Sequence, residues 1–249
     1  MPLHDIEMSE FSNEFAQCWS AAGRHLTASA QGQIQHWLKA QLRPPFLEHL
    51  SFRLGNQLFF VRIEDEDQRL EVPGSWSGVQ RIADKCKGHA CLMPMQKRGG
   101  QWQPAHPGWG LIGMQSGALI NPAALVSDEA TPMTAWELHD FAVQVVRADL
   151  EKAGREIMSW QSDPHVDPSI WFVGDSGPEW VVVRPAVCPD EEAPLPTHLA
   201  QIRQSCARLS RVGHFASVSI VSLGNCLSQD DVPMRGYRLM TNYCGLRKL

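Results

Sequence analysis

The sequence predicts an α/β protein of the α+β kind, made of two tandem copies of a helix, strands, helix, two strands unit, and three observations carry this expectation. First, short signatures recur in the same order in both halves. Phe59-Phe60-Val61-Arg62, Gly88-His89-Ala90-Cys91-Leu92, Gly108-Trp109-Gly110-Leu111 and Gly117 are followed by Val181-Val182-Val183-Arg184, Gly213-His214-Phe215-Ala216-Ser217-Val218, Gly236-Tyr237-Arg238-Leu239 and Gly245. The offset grows from about 122 to about 128 residues, as small loop insertions in a duplicated unit require. Second, amphipathic stretches of helical spacing alternate with short aromatic and β-branched runs. Third, 249 residues suit two lobes, 1–125 and 126–249, each with a mixed or antiparallel sheet covered by helices.

Taken in order, Phe11 to Ala22 offers an extra helix in front of the first copy. Ile34, Trp37, Leu38 and Leu42 fall at helical spacing, and Pro44-Pro45 prevents that helix from continuing. Leu47 to Leu54 and Leu58 to Glu64 read as strands around a Gly55-Asn56 corner, where glycine tolerates the positive φ of a tight hairpin. Trp76, Val79, Ile82, Ala83 and Cys86 outline a second helix, and His89 to Met95 and Gly108 to Met114 two further strands. Gln96 to Pro107, rich in Gly, Pro, Gln and basic residues, reads as an exposed loop, and Asn121 to Pro132 as the connection between lobes.

The second copy opens with Thr134-Ala135-Trp136-Glu137, a capping box in which hydroxyl and carboxylate each satisfy a free backbone amide. Leu138, Phe141, Ala142, Val145, Val146 and Leu150 make the buried stripe of the helix, and Gly154 ends it. Strands follow at Arg155 to Gln161, Ser169 to Val173 and Trp180 to Val187, the last two joined through Gly174-Asp175-Ser176-Gly177-Pro178. After the acidic, Pro-rich Pro189 to Pro196, a helix carries Leu199, Ile202, Cys206 and Leu209, with strands at His214 to Leu223 and Gly236 to Tyr243.

A formal charge of -5 argues against a general affinity for nucleic acid and leaves room for a local basic groove. The acidic start has no basic leader or apolar core, no apolar run approaches the roughly 20 residues of a bilayer span, and the seven scattered cysteines read as reduced thiols. A cytoplasmic protein with no membrane contact is the expectation.

The element order of the second copy, with Asp167 standing before Ile170-Trp171-Phe172, resembles the core of the PD-(D/E)XK nucleases. That resemblance implies Mg²⁺ or Mn²⁺ held by clustered carboxylates, since hard cations take oxygen ligands and activate water. It places Asp167 as metal ligand, Glu137 or Glu179 as assisting acid, and Arg184 against phosphate charge. The strand that carries Glu-x-Lys in those enzymes reads Trp180-Val181-Val182-Val183-Arg184, with Val182 at the acid and Arg184 at the lysine position. The order also resembles the small chaperones of type III secretion and related chaperone-like folds, acidic cytoplasmic proteins that often act as dimers, which a tandem copy would imitate. That likeness transfers no site residues.

Other constellations are weaker. Cys86-x2-His89-x-Cys91 offers three zinc ligands where structural zinc takes four. His139-Asp140 are helix neighbours and do not face each other. Arg62 and Arg184 occupy matching places, and an Arg within an apolar strand calls for a carboxylate partner or an anion. Trp102 and Trp109 flank the basic loop with Lys97 and Arg98, a surface for a partner or single-stranded nucleic acid. The sequence therefore favours a non-enzymatic protein-binding or assembly module without a cofactor, acting on a protein partner and possible as a homo-oligomer. The alternative is a divalent-metal-dependent nuclease-like protein, degenerate in its motif.

Overall fold

The computed structural model describes residues 12–32, 34–39, 49–223 and 232–249. The chain divides into two compact units, one within Met8–Thr131 and one formed chiefly by Pro132–Leu249.

In the first unit, α1 (Asn13–Ser29) starts at Ser12, whose hydroxyl accepts a hydrogen bond from the Phe15 amide at 3.0 Å. Phe15, Cys18, Trp19, Ala22 and Leu26 recur at helical spacing and form its buried face. Strands β1 (Ile34–Lys39), β2 (Leu50–Leu54) and β3 (Gln57–Asp65) follow, then α2 (Trp76–Lys85), β4 (His89–Arg98), β5 (Gln101–Pro104), β6 (Leu111–Gly113), β7 (Leu119–Ile120) and α3 (Pro122–Leu125). The sheet order is β1-β2-β3-β4-β6-β7, with β5 also on β4. Phe52, Phe59, Val61, Ile63, Cys91 and Met93 meet α1 in one core.

The second unit runs α4 (Ala135–Lys152), β8 (Glu156–Trp160), β9 (Ile170–Gly174), β10 (Gly177–Val187), α5 (Leu199–Cys206), β11 (Gly213–Ser222), β12 (Leu239–Tyr243) and β13 (Arg247–Lys248). Its sheet order is β12-β11-β10-β9-β8, with β13 also on β11. The Thr134 capping box is formed as its spacing predicts. Val181 and Val183 pack with α4, while Trp180 and Val182 pack with Ile202 and Cys206 of α5. Successive strand residues point to opposite faces, so one strand serves two cores.

Each unit therefore has a helix, three antiparallel strands, a crossover helix and a strand parallel to the third. Parallel neighbours require such a crossover. The register is the same as well: Phe59 stands beside His89 in β3–β4, and Val181 beside His214 in β10–β11.

Four details differ from the sequence reading. Ile34–Lys39 is a strand, not a helix, because Trp37 and Leu38 lie in a segment paired with β2, Trp37 opposite Phe52. Short apolar runs are ambiguous by periodicity alone, and here sheet pairing decides. Consequently α1 is not an addition in front; it is the first helix of the unit and continues past Ala22 to Ser29. Leu42, Pro44-Pro45 and Phe11 lie outside the described residues.

Gln96 to Pro107 is largely a β-hairpin rather than a loop: β4 runs to Arg98, opposite Gln101, and Gly99 and Gly100 both have positive φ. A two-residue turn of that shape needs glycine-like freedom at both positions. Finally, Gly108–Leu111 and Gly236–Leu239 are not equivalent. With His89 matched to His214, β5 and β12 both pair near the far end of the parallel strand, and β6 and β13 nearer its beginning.

The Asn121 to Pro132 connection contains α3, capped by the Asn121 side chain. Buried Asn56 ties it to the β2–β3 turn by accepting from the Ser127 amide and donating to the Ser127 hydroxyl and the Glu129 carbonyl.

Candidate functional site

Asp167 is brought to the α5 side of the second sheet by the turn that leads into β9, where Ser169 hydrogen-bonds Val181. Its carboxylate is only 2% exposed. Arg184, one strand position beyond the buried Val183, donates to both carboxylate oxygens, at 3.0 and 2.5 Å. The half-exposed His198, at the N-cap of α5, places Nε2 3.2 Å from Oδ2. The two planar groups match as a fork, the strongest common form of charge-assisted pairing. Arg184 also donates to the Val183 carbonyl at 2.8 Å.

Sequence reasoning placed Asp167, Glu137, Glu179 and Arg184 in one site; the structure brings together only Asp167 and Arg184. Glu137 is fully buried at the start of α4, where it accepts from the Thr134 amide at 2.9 Å and hydroxyl at 3.1 Å and pairs with Arg235 at 2.8 Å. Glu179 lies on the α4 face, opposite Phe172, and its Oε2 is 2.6 Å from His214 Nε2. Among the described residues, no group of three or more His, Cys, Asp or Glu side chains is placed to hold a metal ion. The donor set does not fit the divalent cation implied by the nuclease resemblance: each acid faces its own cationic or imidazole partner, and Val182, where the second acid belongs, is buried apolar core.

A second polar group lies under α4. His139 is fully buried, with Nδ1 2.9 Å from the Ser162 carbonyl and Nε2 3.4 Å from the Ser169 hydroxyl. A carbonyl only accepts, so Nδ1 carries the proton and Nε2 receives the Ser169 hydrogen. Ser169 in turn accepts from the Val183 amide at 3.2 Å. Burial is the main force holding the imidazole below its usual range, against the hydrogen bond to Ser162, so the ring is neutral. Asp140, its helix neighbour, instead meets Ser162 Oγ and Gln144. These groups join α4 to the loop between β8 and β9; none is exposed to an external substrate.

Three of the buried thiols are equally inert. Burial pushes Cys18, Cys91 and Cys206 up to about 12, with the Asp167 charge adding to the effect at Cys206. The Cys86, His89 and Cys91 set does not form a metal site: both thiols are buried, and His89 Nε2 lies 2.9 Å from Gln57 Oε1. Trp102, expected beside an exposed loop, is half-buried against the first core, with Lys97 5.9 Å above its ring.

His198, Arg235 and the Gln57–His89 pair were not anticipated as partners. Gly-His recurrence in both halves was the one available signal, since Gln57 and Glu179 occupy matching positions and each meets the histidine that opens the parallel strand. Nothing in the sequence around Arg235 marks it, because its partner lies 98 residues away.

Residues 136–249 match the model of a family described as a domain of unknown function (DUF8840). That match covers most of the second unit and carries no activity. No curated protein matches, and no solved structure matches.

Proposed function

We propose that this chain is a non-enzymatic protein-binding or assembly module, arisen by internal duplication, whose second unit has a nuclease-like order of elements without a metal centre. The observation that carries the reading is the engagement of Asp167: Arg184 takes both oxygens and His198 adds a third contact. A metal would have to displace a guanidinium from a nearly inaccessible carboxylate, and among the described residues no group of three or more His, Cys, Asp or Glu side chains stands there to repay that cost. Binding is supported by the short crossover helix. Its eight residues pack on β10 and β11, while Met158 and Val173 on the outer strands are each 38% exposed.

No helix among the described residues is long and apolar enough to cross a membrane. The free cysteines, four buried and two exposed among the described residues, suit a reducing cytoplasm, and action on a protein partner, alone or as a homo-oligomer, requires no cofactor.

The test is cleavage of single- and double-stranded DNA and RNA with Mg²⁺ or Mn²⁺, comparing the natural chain with Asp167→Ala. Neither form is expected to cleave. Metal-dependent cleavage that disappears in Asp167→Ala would replace this reading with the nuclease alternative, which the αβββαβ order of the second unit favours.

A further inference from the structure

An open trough of about 730 Å³ lies in the first unit between α1 and the tip of the β4–β5 hairpin. Asn13, Gln17, Ser20 and Arg24 line one side, and Gln101 and Trp102 the other. Among the described residues, no acidic side chain lines it. Arg24 is exposed and has no ion pair among the described residues, whereas nearby Glu14 is held by Lys97 at 2.6 Å. We propose that this trough binds an extended peptide segment carrying an acidic side chain; the inference rests on the protein-binding reading and assigns it a surface.

The lining chemistry selects that occupant. Primary amides both donate and accept, so Asn13, Gln17 and Gln101 are matched to the alternating N–H and C=O groups of an extended backbone. Arg24 supplies a planar fork for a carboxylate. At about 1.5 Å per helical residue, Asn13 and Arg24 stand roughly 16 Å apart along α1, the length of about five extended residues.

Other occupants fit less well. Single-stranded nucleic acid calls for repeated cations and open ring faces, but among the described residues one guanidinium lines the trough, and Trp102 is half-buried beneath Lys97. An apolar partner helix would face amides on the walls. A small molecule is better held by an enclosed pocket than by an open trough.

The probe is a phage library of random dodecapeptides selected on the full chain and, separately, on Arg24→Glu. Enrichment of peptides with acidic residues on the natural chain is expected, with about tenfold weaker binding of those peptides to Arg24→Glu, the scale of one charge-assisted contact. Gln17→Ala gives a milder loss that leaves the charge unchanged. Because Gln17 and Arg24 are exposed on α1, circular dichroism should show the fold intact. No enrichment, no acidic preference, or equal binding to all three forms would overturn the trough as the site. Equal binding would move the surface elsewhere and leave the non-enzymatic reading standing, whereas Asp167-dependent cleavage would remove that reading whatever the peptides do.

Discussion

Arg62 in the first unit and Arg184 in the second occupy the same place on the third strand, yet they are held differently. Arg62 donates to Glu64 on its own strand at 2.9 Å and to the Pro73 carbonyl at 3.0 Å, reaching the segment that enters α2. Arg184 takes Asp167 from the loop before β9, and His198 at the entry to α5 joins the same carboxylate. The geometry of the joint is kept while its acid is exchanged. Likewise, the histidine opening the parallel strand meets Gln57 in one unit and Glu179 in the other. The same position thus accepts an amide in one unit and a carboxylate in the other, each with an oxygen against the imidazole Nε2. In both units, then, the arginine joins the third strand to the segment entering the crossover helix, and the histidine joins the third strand to its parallel neighbour.

The sharpest way to break this comparison is to remove an acid that has no equivalent joint among the described residues of the first unit. Glu137→Ala leaves Arg235 buried without its carboxylate and removes half of the capping box, so a loss of about 3–5 kcal/mol is expected in urea unfolding. A loss below 1 kcal/mol would show that the pair contributes little.

The two arginine joints come next. Asp167→Ala should cost about 2 kcal/mol, because Arg184 is largely buried and loses a bidentate partner. Glu64→Ala should cost within about 1 kcal/mol, since Glu64 is 27% exposed and Arg62 retains its carbonyl contacts. Equal losses would contradict the distinction drawn between a nearly inaccessible acid and a partly solvated one.

The smallest effect concerns pH. His139 has a folded pKa lowered from 6.5, so its unfolded form binds a proton that the folded form resists. The stability it contributes is present above about pH 6.5 and declines as pH falls toward the folded value, by at most about 1.4 kcal/mol per pH unit. Unfolding midpoints of the natural chain and His139→Gln, measured from pH 7.5 to 5.5 (values chosen to span about pH 6.5), isolate that slope from other titrating groups. A difference independent of pH would remove His139 as its source.

Much of the fold was legible because the strongest signals are local. The Thr134 capping box, the buried stripe of α4 and the Gly-His starts of β4 and β11 all stand where the sequence places them. The helix at Phe11 to Ala22 was expected, but its place as the first helix of the unit was missed because Trp37 and Leu38 mimic helical spacing, and only pairing with β2 makes their segment a strand. The candidate site was legible in half. Asp167 and Arg184 could be singled out by their places around β9 and β10, but the opposing choices of Glu137 for Arg235 and Glu179 for His214 depend on contacts 98 and 35 residues apart.

The central claim, that Asp167 is a structural acid satisfied by Arg184, is tested most directly by titrating Mn²⁺ into the natural chain and Asp167→Asn and following the electron paramagnetic resonance of free Mn²⁺. The account predicts the same uptake by both forms, with no stoichiometric site attributable to Asp167. Stoichiometric Mn²⁺ binding by the natural chain that vanishes in Asp167→Asn would contradict it.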